Sequence, residues 1–224
     1  EDIDLPVMRF SPTQPHKKAF RFQAFYAPFF YGLLTVFWVL GKDVVQLITY
    51  NKRKLLKSQD KSFVAALTEI IVYKLLYVVL TLVLPLMATS VPVLHVVLGY
   101  LMMHFLCGLI LALIFQSAHV LEETDFFEPN EKGSVENNWA IHQLRTTANF
   151  ANGGRIFSWL IGGLNYQIEH HLFPHICHVH YAAISGIVEE TARQYNVPYH
   201  KHKTFYGALK SHFSLLNRLG TNKI

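Results

Sequence analysis

The chain has 224 residues, 51% hydrophobic and only 16% charged, with a formal net charge of +5, and is read as one apolar domain. Its basic groups flank apolar runs and do not form an aromatic-interleaved patch, which argues for a membrane surface and against nucleic acid. Two cysteines, Cys107 in an apolar run and Cys177 among histidines, offer no disulfide framework and are read as unpaired.

The opening EDIDLPVMRF has no initiator methionine and no signal-peptide pattern, so the chain is read as a piece of a longer protein. Lys17, Lys18 and Arg21 precede an aromatic run, Phe20 to Leu40, that contains Pro28 and Gly32. With basic clusters on both sides of it, charge gives no crossing direction, and an interfacial or shallowly inserted helix is expected. A second basic cluster follows at Lys52, Arg53, Lys54, Lys57 and Lys61.

Ile70 to Ala88 carries one charge, Lys74, and Val93 to Phe115 carries none. At about 1.5 Å per helical residue, roughly 20 residues cross a hydrocarbon layer of about 30 Å, and Lys74 can snorkel to the near interface. The four residues TSVP between the runs permit only a tight reversal, so the two form a transmembrane helical hairpin. The basic cluster before the first span marks the cytoplasmic side. The hairpin returns everything after Phe115 to that side. The expected architecture is an all-α integral membrane protein: residues 1–66 cytoplasmic or interfacial, 67–116 the hairpin, and 117–224 a cytoplasmic helical histidine-rich cap.

His119 lies just past the second span, followed by Glu122, Glu123 and Asp125, which either orient ligands or are simply solvated. His142 falls in a short helical stretch, NNWAIHQLRTTANF. Five of the chain's 13 histidines then crowd into eleven residues, His170, His171, His175, His178 and His180, with Glu169 alongside. Such density suggests metal without specifying which metal or how many ions. On a helix from Asn165 to Phe173, ended by Pro174, Gln167 stands one turn before both His170 and His171. His170 and His171 then point about 100° apart, awkward for one ion and natural for two adjacent ones.

The stretch QIEHHLFP, the tail ICHVHY, WAIHQLRTTANF and the opening EDIDLP together resemble the C-terminal part of an integral-membrane fatty acid desaturase of the front-end or acyl-lipid type. That family carries three histidine boxes, and QIEHH is similar to the third in its variant with Gln in place of the first histidine. The resemblance implies that the first two boxes lie upstream of Glu1. It implies two non-haem irons, O2 as co-substrate, an external b-type cytochrome or ferredoxin as electron donor, and a membrane lipid or acyl-CoA substrate that gains a cis double bond. It assigns His170 and His171 as metal ligands and His119 as an additional one. Gln167 takes the position of a ligand, either directly or through water, and His142 is included without a firm counterpart. The catalytic set is then His170, His171 and Gln167. His175, His178 and His180, beyond Pro174, are expected to serve as hydrogen-bond donors or headgroup contacts more readily than as ligands.

Two alternatives stay open. A related histidine-box hydroxylase or monooxygenase shares the metal chemistry and keeps oxygen in its product. A non-catalytic metal-binding membrane protein would need ligands inside the spans, where His95 and His104, about two and a half turns apart, face opposite sides.

Overall fold

A computed structural model describes residues 7–56, 61–128, 130–131, 133–135 and 138–223. The opening EDIDLP and Lys57 lie outside the described residues. In chain order the helices are α1 (Gln23–Gly32), α2 (Leu34–Phe37), α3 (Asp43–Lys52), α4 (Phe63–Val78), α5 (Leu84–Ala88), α6 (Val93–His119), α7 (Trp139–Thr146), α8 (Arg155–Leu160), α9 (Gln167–Leu172), α10 (Tyr181–Gln194) and α11 (Phe205–Thr221). Two three-residue strands, β1 (Ala148–Phe150) and β2 (His200–His202), and short 3-10 or π-helical turns complete the described elements. The chain divides into two compact units, one of residues 29–112 and one of residues 1–28 with 113–224.

In the 29–112 unit, α4, a π-helical turn at Val79–Val83 and α5 join into one helix from Phe63 to Ala88. Ser62 caps its start by accepting from the Ala65 N–H at 3.1 Å. The helix therefore begins about two turns before the apolar run at Ile70, and α6 likewise continues past Phe115 to His119. Both are long and apolar enough to cross a membrane. The π turn has a local cause, because Pro85 cannot donate to the Thr81 carbonyl and the hydrogen-bond ladder slips just before it. Tyr77, eleven residues before Ala88, donates to His104 Nε2 at 3.0 Å, and His104 lies eleven residues after Val93. Contact at equal distances from the Thr89–Pro92 connection is what a hairpin requires.

The run from Phe20 to Leu40 is not a single helix. It breaks at Leu33, where Lys18–Gly32 and Leu34–Lys52 bend by 53°. Together they are long and apolar enough for one broken span or a re-entrant segment.

Polar groups inside this unit are matched. Thr35 Oγ1 donates to the His104 carbonyl at 2.7 Å and therefore accepts from His104 Nδ1 at 3.1 Å, which leaves Nε2 as the acceptor for Tyr77. Lys74 donates to Asp43 at 2.8 Å and to the carbonyls of Trp38 and Val39, at the π-helical turn Trp38–Lys42. His104 is thus satisfied without metal, and His95 is exposed.

In the other unit, three apolar clusters form among the described residues. Ile114, Ala118, Phe150 and Ala208 form one, Leu144, Ile168, Val188 and Ala192 a second, and Val120, Leu215 and Leu219 a third. β1 and β2 pair in parallel, Ala148 with His200 and Phe150 with His202, the small exception to an otherwise helical chain. Arg9 fastens the N-terminal segment to the end of α11 by donating to the Leu219 carbonyl at 3.1 Å and to Asn222 Oδ1 at 3.0 Å.

Gly108 sits where α6 meets the end of α1, and a Cβ there would lie 2.7 Å from the Gly32 carbonyl oxygen and 2.9 Å from that of Tyr31. Backbone atoms cannot step aside as a flexible side chain can. Gly108→Leu is therefore expected to lower stability by about 1–3 kcal/mol or more, read as a fall in the thermal midpoint of the detergent-solubilised protein, whereas Gly99→Leu, with open space around its Cβ position, should leave it unchanged.

Candidate metal centre

The histidine helix is shorter than its motif suggests. α9 covers only Gln167–Leu172, because Asn165 and Tyr166 are engaged elsewhere: the Asn165 carbonyl accepts from Phe150 N at 3.1 Å, and Tyr166 donates to the Asn152 carbonyl at 2.6 Å. Pro174 follows the last turn, as expected. The N-terminus is gripped from β1, where Asn149 Oδ1 accepts from the Ile168 N–H at 3.0 Å.

Gln167, only 4% exposed, lies between two imidazoles. Its Nε2 is 3.3 Å from His119 Nε2 and 3.3 Å from His171 Nε2, and the two rings are 4.9 Å apart. His119 is the last residue of α6 and hydrogen-bonds the Thr146 backbone. His171 donates from Nδ1 to Gln143 Oε1 at 2.7 Å, which leaves the Nε2 lone pair facing Gln167. Burial, reinforced by His119 and His170, pushes the His171 imidazole down to about 4, so it stays neutral and able to donate a lone pair. Gln167 Oε1 is buried without a hydrogen-bond partner.

His170 turns elsewhere. It is exposed, its ring is 5.7 Å from that of His171 at 83°, and its Nδ1 is 3.4 Å from the Tyr181 hydroxyl. The divergence agrees with their spacing on a helix. His142 packs its ring 5.2 Å from Phe127, with Nδ1 buried and unpartnered, and it is the next residue, Gln143, that touches His171. His175, His178 and His180 are exposed.

Two imidazoles and an amide form a partial donor set. Among the described residues no group of three His, Cys, Asp or Glu side chains is placed to hold a metal ion. What is present nevertheless fits a cation: lone pairs converge on one spot, an amide oxygen beside them lacks a donor, and the opposite nitrogens are anchored.

The acidic residues after His119 neither orient the histidines nor merely face solvent. Glu122 pairs with Arg218 at 3.1 Å, Glu123 accepts from Ser211 at 2.7 Å, and Asp125 accepts from Arg145 at 2.6 Å. They tie the segment after α6 to α11 and α7. The residue that does brace the histidine helix is Glu169, fully buried, accepting from Asn149 Nδ2 and from the Tyr199 hydroxyl at 2.8 Å each. Burial raises its carboxyl above the ordinary value, opposed by those two donors. Both cysteines are free.

Gln143→Leu removes the acceptor that fixes His171 without touching a donor. In the full-length protein it is expected to weaken metal retention by about 10 to 100-fold, measured as metal content after dialysis against a chelator series, with helical content unchanged by circular dichroism.

Comparison with known proteins identifies the family of the chain. The family model described as fatty acid desaturase matches residues 1–203. The chain is 36% identical over 223 residues to the sn-1 linoleoyl-lipid 6-desaturase of Synechocystis sp., covering 96% of this chain and 59% of that protein. It is 32% identical over 216 residues to the protein of the same name from Arthrospira platensis, covering 96% and 58%. It is 36% identical over 223 residues to the acyl-lipid (8-3)-desaturase of Physcomitrium patens, covering 97% and 45%. No solved structure gives a significant match. The chain spans about half the length of the curated relatives it matches, and over that span it belongs to the fatty acid desaturase family.

Proposed function

We propose that this chain is the part of an acyl-lipid desaturase that carries one side of a diiron centre, in a multi-pass membrane protein whose metal site faces the cytoplasm. The observation that carries the reading is the convergence of His119, His171 and Gln167 within 3.3 Å contacts, in a chain matched by the family model. His119, His171 and Gln167 are assigned to one iron and His170 to the second, with the remaining donors outside these residues. Iron held there would supply the O2-dependent redox chemistry that takes two hydrogens from an unactivated methylene pair, which acid/base or nucleophilic side chains cannot do.

The chain's own part is positional. Gln143 and the Thr146 backbone hold the two imidazoles so that Nε2 faces inward. Asn149 and Tyr199 fix the helix that carries Gln167, His170 and His171. The relatives' names speak of linoleoyl-lipid and acyl-lipid, which favours a lipid-borne acyl chain over acyl-CoA as substrate. A b-type cytochrome or ferredoxin is assigned as the electron donor, docking on the basic cytoplasmic face.

Two measurements test the reading. In cells expressing the full-length protein, His170→Ala and His171→Ala are expected to abolish double-bond formation and to lower bound iron from about two per chain, with protein level followed in parallel. Gln167→Ala should lose at least about 10-fold and Gln167→His should recover activity. Full activity in both histidine variants would rule out the diiron assignment. Independently, Ser90→Cys and His171→Cys should react with an impermeant thiol reagent from opposite sides of sealed vesicles, and labelling from one side would refute the cytoplasmic placement.

A further inference from the structure

The 29–112 unit carries a cavity of about 500 Å³ that the metal chemistry does not use, bordered by Trp38, Lys42, Asp43, Glu69, Tyr73 and Lys74. Its charges are unequally matched. Lys74 is neutralised by Asp43 at 2.8 Å and by two backbone carbonyls, and Glu69 is paired with Lys61 at 2.7 Å. Lys42 is the exception. Among the described residues no carboxylate lies within ion-pair distance of it, and its ammonium rests 4.3 Å from the centre of the Trp38 ring. A cation–π contact attracts the charge but uses none of its three N–H donors, so the group remains able to bind an anion.

The depth of the cavity narrows the ligand. Its α4 wall runs from Glu69 to Ile70 and Tyr73, where the polar start of the helix gives way to the apolar run, and the adjoining Ile71, Val72, Leu75 and Leu76 are exposed. Trp38 and Tyr73 are the aromatic types that collect at membrane–water interfaces. With Phe63–Ala88 read as a span, an anion arriving here comes from the headgroup layer, with acyl chains to lie along the exposed aliphatic side chains. Volumes of about 300–1,000 Å³ suit small-molecule sites. Lys52, Arg53 and Lys54, at the end of α3, raise the local concentration of acidic lipid.

We propose that this cavity is a binding site for the headgroup of an anionic phospholipid, with Lys42 contacting the phosphate and the Trp38 ring holding Lys42 in place. The site is independent of the metal assignment, and no step in hydrogen removal is given to it.

The test is native mass spectrometry of the full-length protein, purified in mild detergent and offered phosphatidylglycerol and phosphatidylcholine together. Phosphatidylglycerol should be retained with about fivefold preference. Lys42→Gln should remove that preference, while Lys42→Arg and, at an exposed position of α11, Lys210→Gln should keep it, all with parental thermal midpoints. If Lys42→Gln unfolds, Lys42→Met, which keeps the aliphatic stem against Trp38, is read in its place. Equal retention of the two lipids, or a preference that survives Lys42→Gln, would overturn the proposal. So would displacement of the bound lipid by inorganic phosphate alone, because the site would then recognise a free anion and not a lipid.

Discussion

Glu169 is completely buried, and a carboxyl group in that position must find donors or the segment carrying it cannot stay folded. Asn149 and Tyr199 supply them, and the three residues come from three different parts of the chain. Asn149 lies on β1 and Tyr199 immediately precedes β2, so the short parallel pairing of those strands is what brings both donors to one place. Asn149 also accepts from the first turn of α9. The helix is thereby held at its N-terminus and through the buried side chain of Glu169, and the orientation of Gln167 and His171 follows from both. Ile168, between Gln167 and Glu169, adds an apolar anchor against Leu144, Val188 and Ala192.

Around that brace the candidate metal centre is electrostatically simple. Burial keeps His171 neutral, and the inward direction of its lone pair is set by what holds the opposite nitrogen. Gln167, in place of a third imidazole, donates to both neighbours through its amide nitrogen and leaves its oxygen without a partner. A cation would reverse that preference, drawing the oxygen toward the convergence point, because an amide oxygen is a hard donor and an amide nitrogen is not one. The relatives give family membership, while the arrangement of donors within that family comes from the packing of α6, α7 and α9.

The apolar helices obey the same rule in a harsher setting. In a hydrocarbon environment an unpaired polar group has no water to turn to, and two polar residues of these helices, His104 and Lys74, have specific partners. His104 is held between Thr35 and Tyr77, and Lys74 among Asp43 and two carbonyls of a π-helical turn. These contacts explain how segments read as membrane-spanning tolerate a histidine and a lysine.

The sequence by itself determined the features that depend on composition and local period. Two apolar runs of the right length, one with a single charge and one with none, had to be apolar helices, and their four-residue connection had to reverse the chain. The i, i+3 and i+4 spacing of Gln167, His170 and His171 put Gln167 one turn before both histidines and made the two histidines diverge, while the tertiary structure decided that His171 is the one beside Gln167. It did not determine the helix start, which lies before Ile70 because Ser62 caps it, nor the break at Leu33 within the aromatic run. It left His142 and Gln143 indistinguishable, since adjacent residues on a helix point about 100° apart and only the seating of α7 against α9 decides which one faces inward. It concealed Asn149 and Tyr199, 20 and 30 residues from Glu169. It also concealed the strand pairing that delivers them, for three-residue strands carry no usable periodicity. Periodicity is written within a few residues, whereas a buried hydrogen-bond partner is chosen by whichever distant segment the fold brings into contact, and tertiary structure alone makes that choice.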